Sequence, residues 1–393
     1  MKRNLTFRYA LQQAMLWAEY GFLFSYANPY MTEQLGLSNS HAGLALGIAT
    51  ALSFLLQPVL ASLADKTRLN AKRVCLMASL LLIVFAVSAV LIPSCAVVLF
   101  ALSCVMLQVK PSFSNAMGMH SISAGYQINF ALARGIGSVA FGVSSKLGSV
   151  LIGYFGNQTI ALAGAACAAL FFLTTACLPD AHQLGGATEA PTTIRRFFAE
   201  CPRFLPLLVA TVLLYIGHNA LCNSMFRVAQ SKLPVGADTQ LATDLQGTAL
   251  MVAAVLELPT MFVFTRLVKR VRCDIWLGIS CVFMTLRLLL TLVLPGEIGM
   301  VMAQTLQIGG YALFAVASVY YVGSVVPKKN VVKGQTYWGA ANTLGNLLAY
   351  ILGGRMIDLM GVEAMLWICV AASALGAIIM ICAKERVAHT VGT

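Results

Sequence analysis

Charged residues are scarce in this sequence. Asp, Glu, Lys and Arg together make up 10% of the 393 residues, whereas soluble domains carry about 25%. Hydrophobic residues make up 59%, and the mean hydropathy is +0.82. The surface of a folded chain still grows with its mass, so a water-soluble fold of this size could not hide so much apolar surface. The composition excludes a soluble globular domain and predicts that the solvent is a lipid bilayer.

The sequence also lacks the motifs of common catalytic and metal sites. It contains no nucleotide-binding loop, no HExxH, no GxSxG and no CxxC pair or Cys/His ligand spacing. We therefore expect no enzyme, no ATP-driven pump, no metal and no cofactor. The eleven cysteines are scattered, mostly within apolar stretches, and are interpreted as small buried apolar residues.

Long apolar blocks are what the sequence does contain. Each is about 20 residues long, the length that a helix needs to cross ~30 Å of hydrocarbon. Backbone groups in lipid must be satisfied within the segment, and the blocks do not alternate as barrel strands do, so we predict helices. Twelve blocks run near residues 8–30, 41–63, 74–93, 95–118, 128–150, 157–178, 204–226, 244–265, 275–294, 298–322, 335–356 and 362–382.

The net charge of +12 comes from short basic clusters between these blocks. With the N-terminus placed inside, 19 of the 26 Lys and Arg residues lie in inner segments and only Lys146, Arg227, Lys232 and Arg355 at outer ends. This bias predicts that both termini are cytoplasmic. We expect the membrane to be a bacterial inner membrane. We therefore interpret the basic clusters as topology signals and expect no nucleic-acid partner. The short basic start, with a long first block, predicts no cleavable signal.

A polar stretch divides the blocks six and six. Residues 179–203 hold Gly, Pro, Thr and charges, and predict a cytoplasmic linker between bundles at 1–178 and 204–393. An internal repeat supports two similar halves, because Pro58 and Pro259 occupy matching places in the second and eighth blocks. Parallel six-helix repeats are typical of one class of membrane transporter.

Several stretches resemble one family. ASLADKTRLNAKR (61–73) resembles the signature loop of the major facilitator superfamily. The stretches 43–73 and 130–142 are similar to the lactose permease branch, and GHNALCNSMF (217–226) to the phenylpropionate permease branch. The resemblance implies an all-α polytopic membrane protein of the major facilitator fold, with 12 transmembrane helices in two pseudo-symmetric six-helix bundles. It also implies a solute carrier related to oligosaccharide–proton symporters.

Five ionisable residues fall inside apolar blocks, where a charge costs about 2.5–3.5 kcal/mol on insertion scales and is a functional hypothesis by default. They are Glu19, Lys110, Arg134, Glu257 and Arg287. The alternative interpretation is that internal ion pairs only hold helices together.

The resemblance assigns roles to some of them. Arg134 matches a sugar-binding arginine, Glu257 an acidic sugar ligand, and Arg287 an arginine tied to proton coupling. Further candidates for substrate binding lie in the fourth, fifth, seventh, eighth and tenth blocks; they are Phe141, Ser138, Asn115, Thr260, His218, Asn219 and Gln307. For Phe141 and His218 ordinary packing is the alternative. Asp65, Lys72 and Arg73, in the signature loop, are expected to act in the conformational switch.

The sequence also departs from the lactose permease pattern. Asn115 lies near the place of a galactoside-binding glutamate, and Gln307 occupies the place of a coupling histidine. Glu257 and Glu19 are then the embedded carboxylates left for proton coupling, with Arg287 and Lys110 as partners, and Glu19 is expected to pair with Lys110 in one state. A buried carboxylate can alternate between charged and neutral forms.

The resulting hypothesis is a monomeric secondary active transporter for a sugar or sugar-like solute, working by alternating access with the proton as coupling ion. Within this class, the alternative is a permease for an aromatic or other organic acid, or for a nucleoside. A membrane sensor that binds solute without moving it is the alternative from another class.

Overall fold

The described part of the chain is almost entirely helical. The computed structural model describes residues 4–66, 70–180, 194–327 and 330–384, without the side chains of 61–66, 131, 265, 269 and 332. Apart from one isolated bridge between Asn4 and Gln127, these residues form helices and their connections. The prediction of an all-α membrane fold is confirmed.

Fifteen α-helices are numbered here in chain order. They are α1 Thr6–Glu19, α2 Ala27–Pro29, α3 Asn39–Lys66, α4 Ala71–Leu91, α5 Ala96–Ser123, α6 Phe130–Phe155, α7 Thr159–Ala176, α8 Ile194–Glu200, α9 Phe204–Asn223, α10 Met225–Lys232, α11 Thr239–Arg270, α12 Cys273–Val293, α13 Gly296–Gln304, α14 Tyr311–Val325 and α15 Val331–Ala383.

Ten segments of the described chain are long and apolar enough to cross a membrane. The last of them, Lys333–Ala383, is 51 residues long and contains Gly361, whose φ of 83° is not helical. That glycine lies between the eleventh and twelfth predicted blocks. The first predicted block is divided among α1, α2 and the π-helical turns Tyr20–Phe24 and Tyr30–Gln34. The number of twelve spans therefore stays a prediction.

The predicted spans have an outer face that is open and apolar. Large hydrophobic side chains such as Leu55 on α3, Leu91 on α4 and Val98 on α5 are more than half exposed. Exposed apolar surface of this extent marks contact with another apolar phase. We interpret this phase as lipid.

Two compact units are distinguished by their internal contacts. The first comprises the described residues within 1–186 and 236–255, and in it α1 packs on α6 and α7 while α4 packs on α5 and α7. The second comprises those within 187–235 and 256–393, and in it α9 packs on α15 and α12 packs on α14 and α15. The division falls inside α11. Because that helix is shared, the predicted bundle bounds of 1–178 and 204–393 remain a prediction, and residues 181–193 of the predicted linker lie outside the described residues.

Close helix contacts in the second unit depend on small residues. A Cβ added at Gly345 of α15 would lie 2.6 Å from the Tyr215 Cβ and 3.1 Å from the Val212 carbonyl oxygen of α9. In lipid, such close approach supplies the van der Waals packing that holds helices together, because no hydrophobic effect drives them. The α9–α15 pair is therefore closely packed, and α9 carries His218, Asn219 and Asn223.

Candidate functional site

An ion pair lies in the interior of the first unit. The Lys110 ammonium of α5 contacts the Glu19 Oε2 of α1, and both side chains are fully buried. The same ammonium lies 4.9 Å from the centre of the Phe171 ring on α7. The second carboxylate oxygen of Glu19 is buried and has no hydrogen-bond partner among the described residues. The structure thus brings the two predicted coupling residues together, at the point where α1 passes into a π-helical turn, a distortion frequent at functional sites.

Arg134 lies near the start of α6, where its guanidinium packs against an aromatic ring. Its guanidinium carbon lies 3.8 Å from the centre of the Trp17 ring on α1. Its Nη1 atom is buried and has no hydrogen-bond partner among the described residues. A buried donor without a partner costs about 1–3 kcal/mol, so such atoms call for an acceptor from elsewhere.

Two buried glutamines lie beside this arginine and were missed in the sequence. Gln13 donates from Nε2 to the Ser114 Oγ of α5 at 2.7 Å, and Gln12 donates to the same oxygen at 2.9 Å. The Trp17 indole donates to the Gln13 Oε1 at 3.3 Å. The signal that could have found them is the Gln-Gln pair inside the first apolar block, since buried amides must be hydrogen-bonded.

In the second unit, Arg287 of α12 is saturated by neutral acceptors. Its Nε and Nη2 donate to the Gln304 Oε1 at 2.8 and 2.6 Å, and its Nη1 donates to the Gln307 Oε1 at 2.6 Å. The remaining contacts are the His218 Nδ1 at 3.1 Å and the Cys222 Sγ at 3.9 Å. Every one of the five guanidinium N–H groups therefore has an acceptor, and none of these acceptors is a carboxylate oxygen.

This arrangement fixes the state of His218. A guanidinium can only donate, so the His218 Nδ1 accepts, and the proton of a neutral imidazole sits on Nε2. The Nε2 atom lies 3.8 Å from the Cys222 Sγ. The His218 ring stacks on Tyr311 with centres 4.5 Å apart and an interplanar angle of 4°. His218 is thus part of the cluster around Arg287, with the guanidinium bound to its Nδ1 and the Tyr311 ring stacked on its face.

Glu257 of α11 is joined to this cluster through an amide. The Gln307 Nε2 donates to the Glu257 Oε1 at 2.9 Å, while the oxygen of the same amide accepts from Arg287. Gln307 therefore faces a cation with its carbonyl and an anion with its N–H groups. The Glu257 carboxyl group and the Arg287 guanidinium lie one side chain apart, so an ionised Glu257 would balance the charge of Arg287.

The polypeptide is irregular where Gln307 lies. Between α13 and α14 the chain forms a 3-10 turn, Thr305–Ile308, followed by Gly309 and Gly310. Thr260, one turn after Glu257 on α11, donates its hydroxyl to the Ile308 carbonyl at 2.6 Å. Broken helices are tolerated at membrane depth where they are buried in protein or line a cavity, and in transporters they mark binding sites.

Two asparagines of α9 present open hydrogen-bonding atoms. The Asn219 Nδ2 and the Asn223 Oδ1 are buried and have no hydrogen-bond partner among the described residues. The amide nitrogen of Asn223 donates to the Asn346 Oδ1 of α15 at 3.1 Å. Residues four apart share one helix face. This face of α9 therefore offers a donor and an acceptor from residues about one helical turn apart.

The other predicted binding residues are less informative. Ser138 is buried on α6, whereas Asn115 and Phe141 are half-buried on α5 and α6. In the first unit the structure brings together Glu19 with Lys110, and in the second Glu257, Gln307, Arg287 and His218, with Thr260 on the adjacent turn.

The residues of the signature loop tie helices of the first unit together at one end. The Lys72 ammonium donates to the carbonyls of Ala176 and Leu178 at 3.0 and 2.5 Å, which caps the C-terminus of α7. The backbone N–H of Arg73 donates to the Asn70 side chain, the N-cap of α4. The side chain of Asp65 lies outside the described residues, so its place in a conformational switch stays a prediction.

A match to a family model identifies the family of the chain. The model of the MFS_1 like family matches residues 7–368. The chain belongs to this family. It is therefore a multi-pass membrane protein of a transporter family. No curated protein sequence matches it significantly.

Solved structures of other transporters share the fold. A crystal structure of the nucleoside transporter NupG is 17% identical and has a TM-score of 0.77, with 97% of this chain and 98% of that chain covered. A crystal structure of the peptide transporter POT in complex with alafosfalin is 14% identical, with a TM-score of 0.70 and coverage of 95% and 93%. At these identities the likeness shows the fold alone, and it confirms the predicted major facilitator fold.

Proposed function

We propose that this chain is a proton-coupled secondary transporter of a neutral polyhydroxy solute, a sugar or a nucleoside, that works by alternating access as a monomer. It would work in the bacterial cytoplasmic membrane with both termini inside. The observation that carries the proposal is the set of buried hydrogen-bonding atoms without partners, the Arg134 Nη1, the Asn219 Nδ2 and the Asn223 Oδ1. Donors and acceptors of this kind match hydroxyls and the edges of nucleobases.

The charges of the interior support a neutral solute. Lys110 is compensated by Glu19, and Arg287 is saturated by neutral acceptors with Glu257 one amide away. Neither cation needs a negative charge from the solute. The nucleoside alternative has one further support, since a transporter of the same fold bears that solute in its name.

Coupling to protons is assigned to Glu257. Its carboxylate accepts from Gln307, which lies on the irregular turn between α13 and α14. Protonation would weaken that hydrogen bond, because a charged acceptor binds more strongly than a neutral one. The turn would then be released from α11 on one side. Glu19, next to the π-helical turn of α1, is the second carboxylate for the same role.

Counterflow of labelled solutes in proteoliposomes tests the proposal. Vesicles loaded with unlabelled uridine or glucose should accumulate the matching labelled solute transiently, and empty vesicles should not. If neither solute accumulates, the proposed substrate class is wrong. If the purified protein is stabilised by a solute that it does not exchange, it is the sensor and not a carrier.

An organic-acid permease is the second candidate. The observation in its favour is that the Arg134 guanidinium contacts the Trp17 ring, while its buried Nη1 has no acceptor among the described residues. An aromatic acid could supply both a carboxylate for the guanidinium and a ring. Thermal-shift competition separates the two candidates: stabilisation by phenylpropionate, with none by uridine or sugars, would replace the first proposal by this one.

A further inference from the structure

We infer that Trp17 is a positioning residue for the solute: its indole ring holds the Arg134 guanidinium so that the open Nη1 donor meets a pair of neighbouring hydroxyls. The inference deepens the proposed function and rests on it. Neither the sequence nor the resemblance pointed to Trp17, which lies half-buried on α1.

The Trp17 ring offsets the positive charge of the Arg134 guanidinium but does not replace oxygen or nitrogen acceptors for its N–H groups. The Arg134 carbon lies 3.8 Å from the Trp17 ring centre, well within the ~6 Å of a cation–π interaction. The ring face attracts the positive charge, whereas the N–H groups still need oxygen or nitrogen acceptors. The buried Nη1 has none among the described residues. The guanidinium is therefore held in place and remains open to a ligand.

A chain of hydrogen bonds through α1 and α5 holds the Trp17 indole in place. Its Nε1 donates to the Gln13 Oε1 at 3.3 Å, and Gln13 in turn donates to the Ser114 Oγ of α5 at 2.7 Å. The Tyr20 ring packs against it with centres 5.0 Å apart. A ring fixed in this way can set the direction of the side chain stacked on it, since each partner's own hydrogen bonds limit its rotation.

A glycine on α6 allows the ring to approach. A Cβ added at Gly137 would lie 2.4 Å from the Trp17 Cδ1, closer than real Cβ contacts come. Gly137 follows Arg134 by three residues and so lies on the same face of α6. The ring therefore rests against the α6 backbone at Gly137 while it contacts the guanidinium one turn earlier.

The ring also decides which solute chemistry fits. Because the indole face offsets part of the positive charge, the site does not require an anion to balance Arg134. The rigid fork of a guanidinium suits two adjacent oxygens. The chemistry that matches both conditions is a vicinal diol, as found in sugars and in the ribose of nucleosides.

The test compares uridine with 2′,3′-dideoxyuridine, which lacks the diol. In proteoliposomes, Trp17→Leu should raise the KM for uridine about 3- to 30-fold, the range that cation–π energies give, with little change in maximal rate. The KM for the dideoxy compound should not change. Trp367→Leu, on an exposed ring of α15, serves as the matched control and should change neither value.

Two more variants separate positioning from a structural role. Gly137→Ala displaces the indole without removing it and should reproduce the selective rise in KM. In an Arg134→Gln background, Trp17→Leu should add less than a twofold change, because the cation that the ring orients is gone. Equal losses for both compounds, a fall in maximal rate alone, or losses that multiply would overturn the inference.

The experiment distinguishes failure of the proposed function from failure of the role of Trp17. If the wild type carries neither uridine nor glucose, the proposed substrate class is wrong and the diol assignment falls with it. If the wild type carries uridine but Trp17→Leu leaves its KM unchanged, the transporter stands and the role of Trp17 is wrong.

Discussion

At the scale of single residues, the buried charges are the groups whose removal is expected to be most costly. Lys110 and Glu19 are both fully buried and contact each other. Removal of one partner of such a pair leaves an uncompensated charge in a low-dielectric interior, at a cost of about 3–5 kcal/mol, whereas removal of both can be almost neutral.

We expect Glu19→Gln and Lys110→Met each to lower the free energy of unfolding by about 3–5 kcal/mol, and the double variant to recover most of the loss. Thermal unfolding of the purified protein in detergent measures all three. Losses that add up in the double variant would show that the two side chains do not interact.

A second prediction at this scale concerns coupling. Glu257→Gln should abolish uptake driven by a pH gradient and leave counterflow intact, because exchange needs no net proton movement while the amide can still accept from Gln307. Glu297→Gln, on an exposed carboxylate of α13, is the control and should behave as the wild type. Normal gradient-driven uptake by Glu257→Gln would remove Glu257 from the coupling role.

At the scale of helices, much could be predicted from the sequence. The apolar block 74–93 became α4, residues 71–91, and the block 275–294 became α12, residues 273–293, because uninterrupted apolar runs in lipid have to be helical. The block 298–322 was predicted as one span, yet it contains a 3-10 turn and two glycines between α13 and α14. Continuous hydropathy does not reveal such a break, because the freed carbonyl of Ile308 is satisfied by a distant residue, Thr260.

The α9–α15 contact gives a prediction at the helix scale. Gly345→Ala would place a Cβ 2.6 Å from that of Tyr215, and it should destabilise the protein by about 1–3 kcal/mol through overpacking. Gly339→Ala, in the same helix with no atom within 4 Å of the added Cβ, should be neutral or slightly stabilising. Equal melting temperatures for the two variants would contradict this close packing.

The candidate site was only partly predictable, and the reason is physical. Embedded charges such as Arg134 and Arg287 stand out in an apolar sequence because they are costly there. Their partners do not stand out. Trp17 and Gln13 lie more than a hundred residues from Arg134 in sequence, and nothing in their own surroundings marks them as its neighbours.

At the scale of the whole molecule, each of the two units holds its own cluster of buried polar side chains. The first holds Arg134 on Trp17, and the second holds Asn219 and Asn223 beside the Arg287 cluster. The central claim is that such unpartnered buried atoms bind a neutral solute.

The affinity of the transported solute for single variants tests this claim most directly. We predict that calorimetric titration of uridine or glucose, whichever counterflow selects, shows about 10-fold or greater loss for Arg134→Gln and for Asn223→Ala alike, as loss of a buried hydrogen bond implies. Trp367→Leu should bind as the wild type does. Unchanged affinity in either variant would contradict the claim that the unpartnered atom of that residue binds the solute.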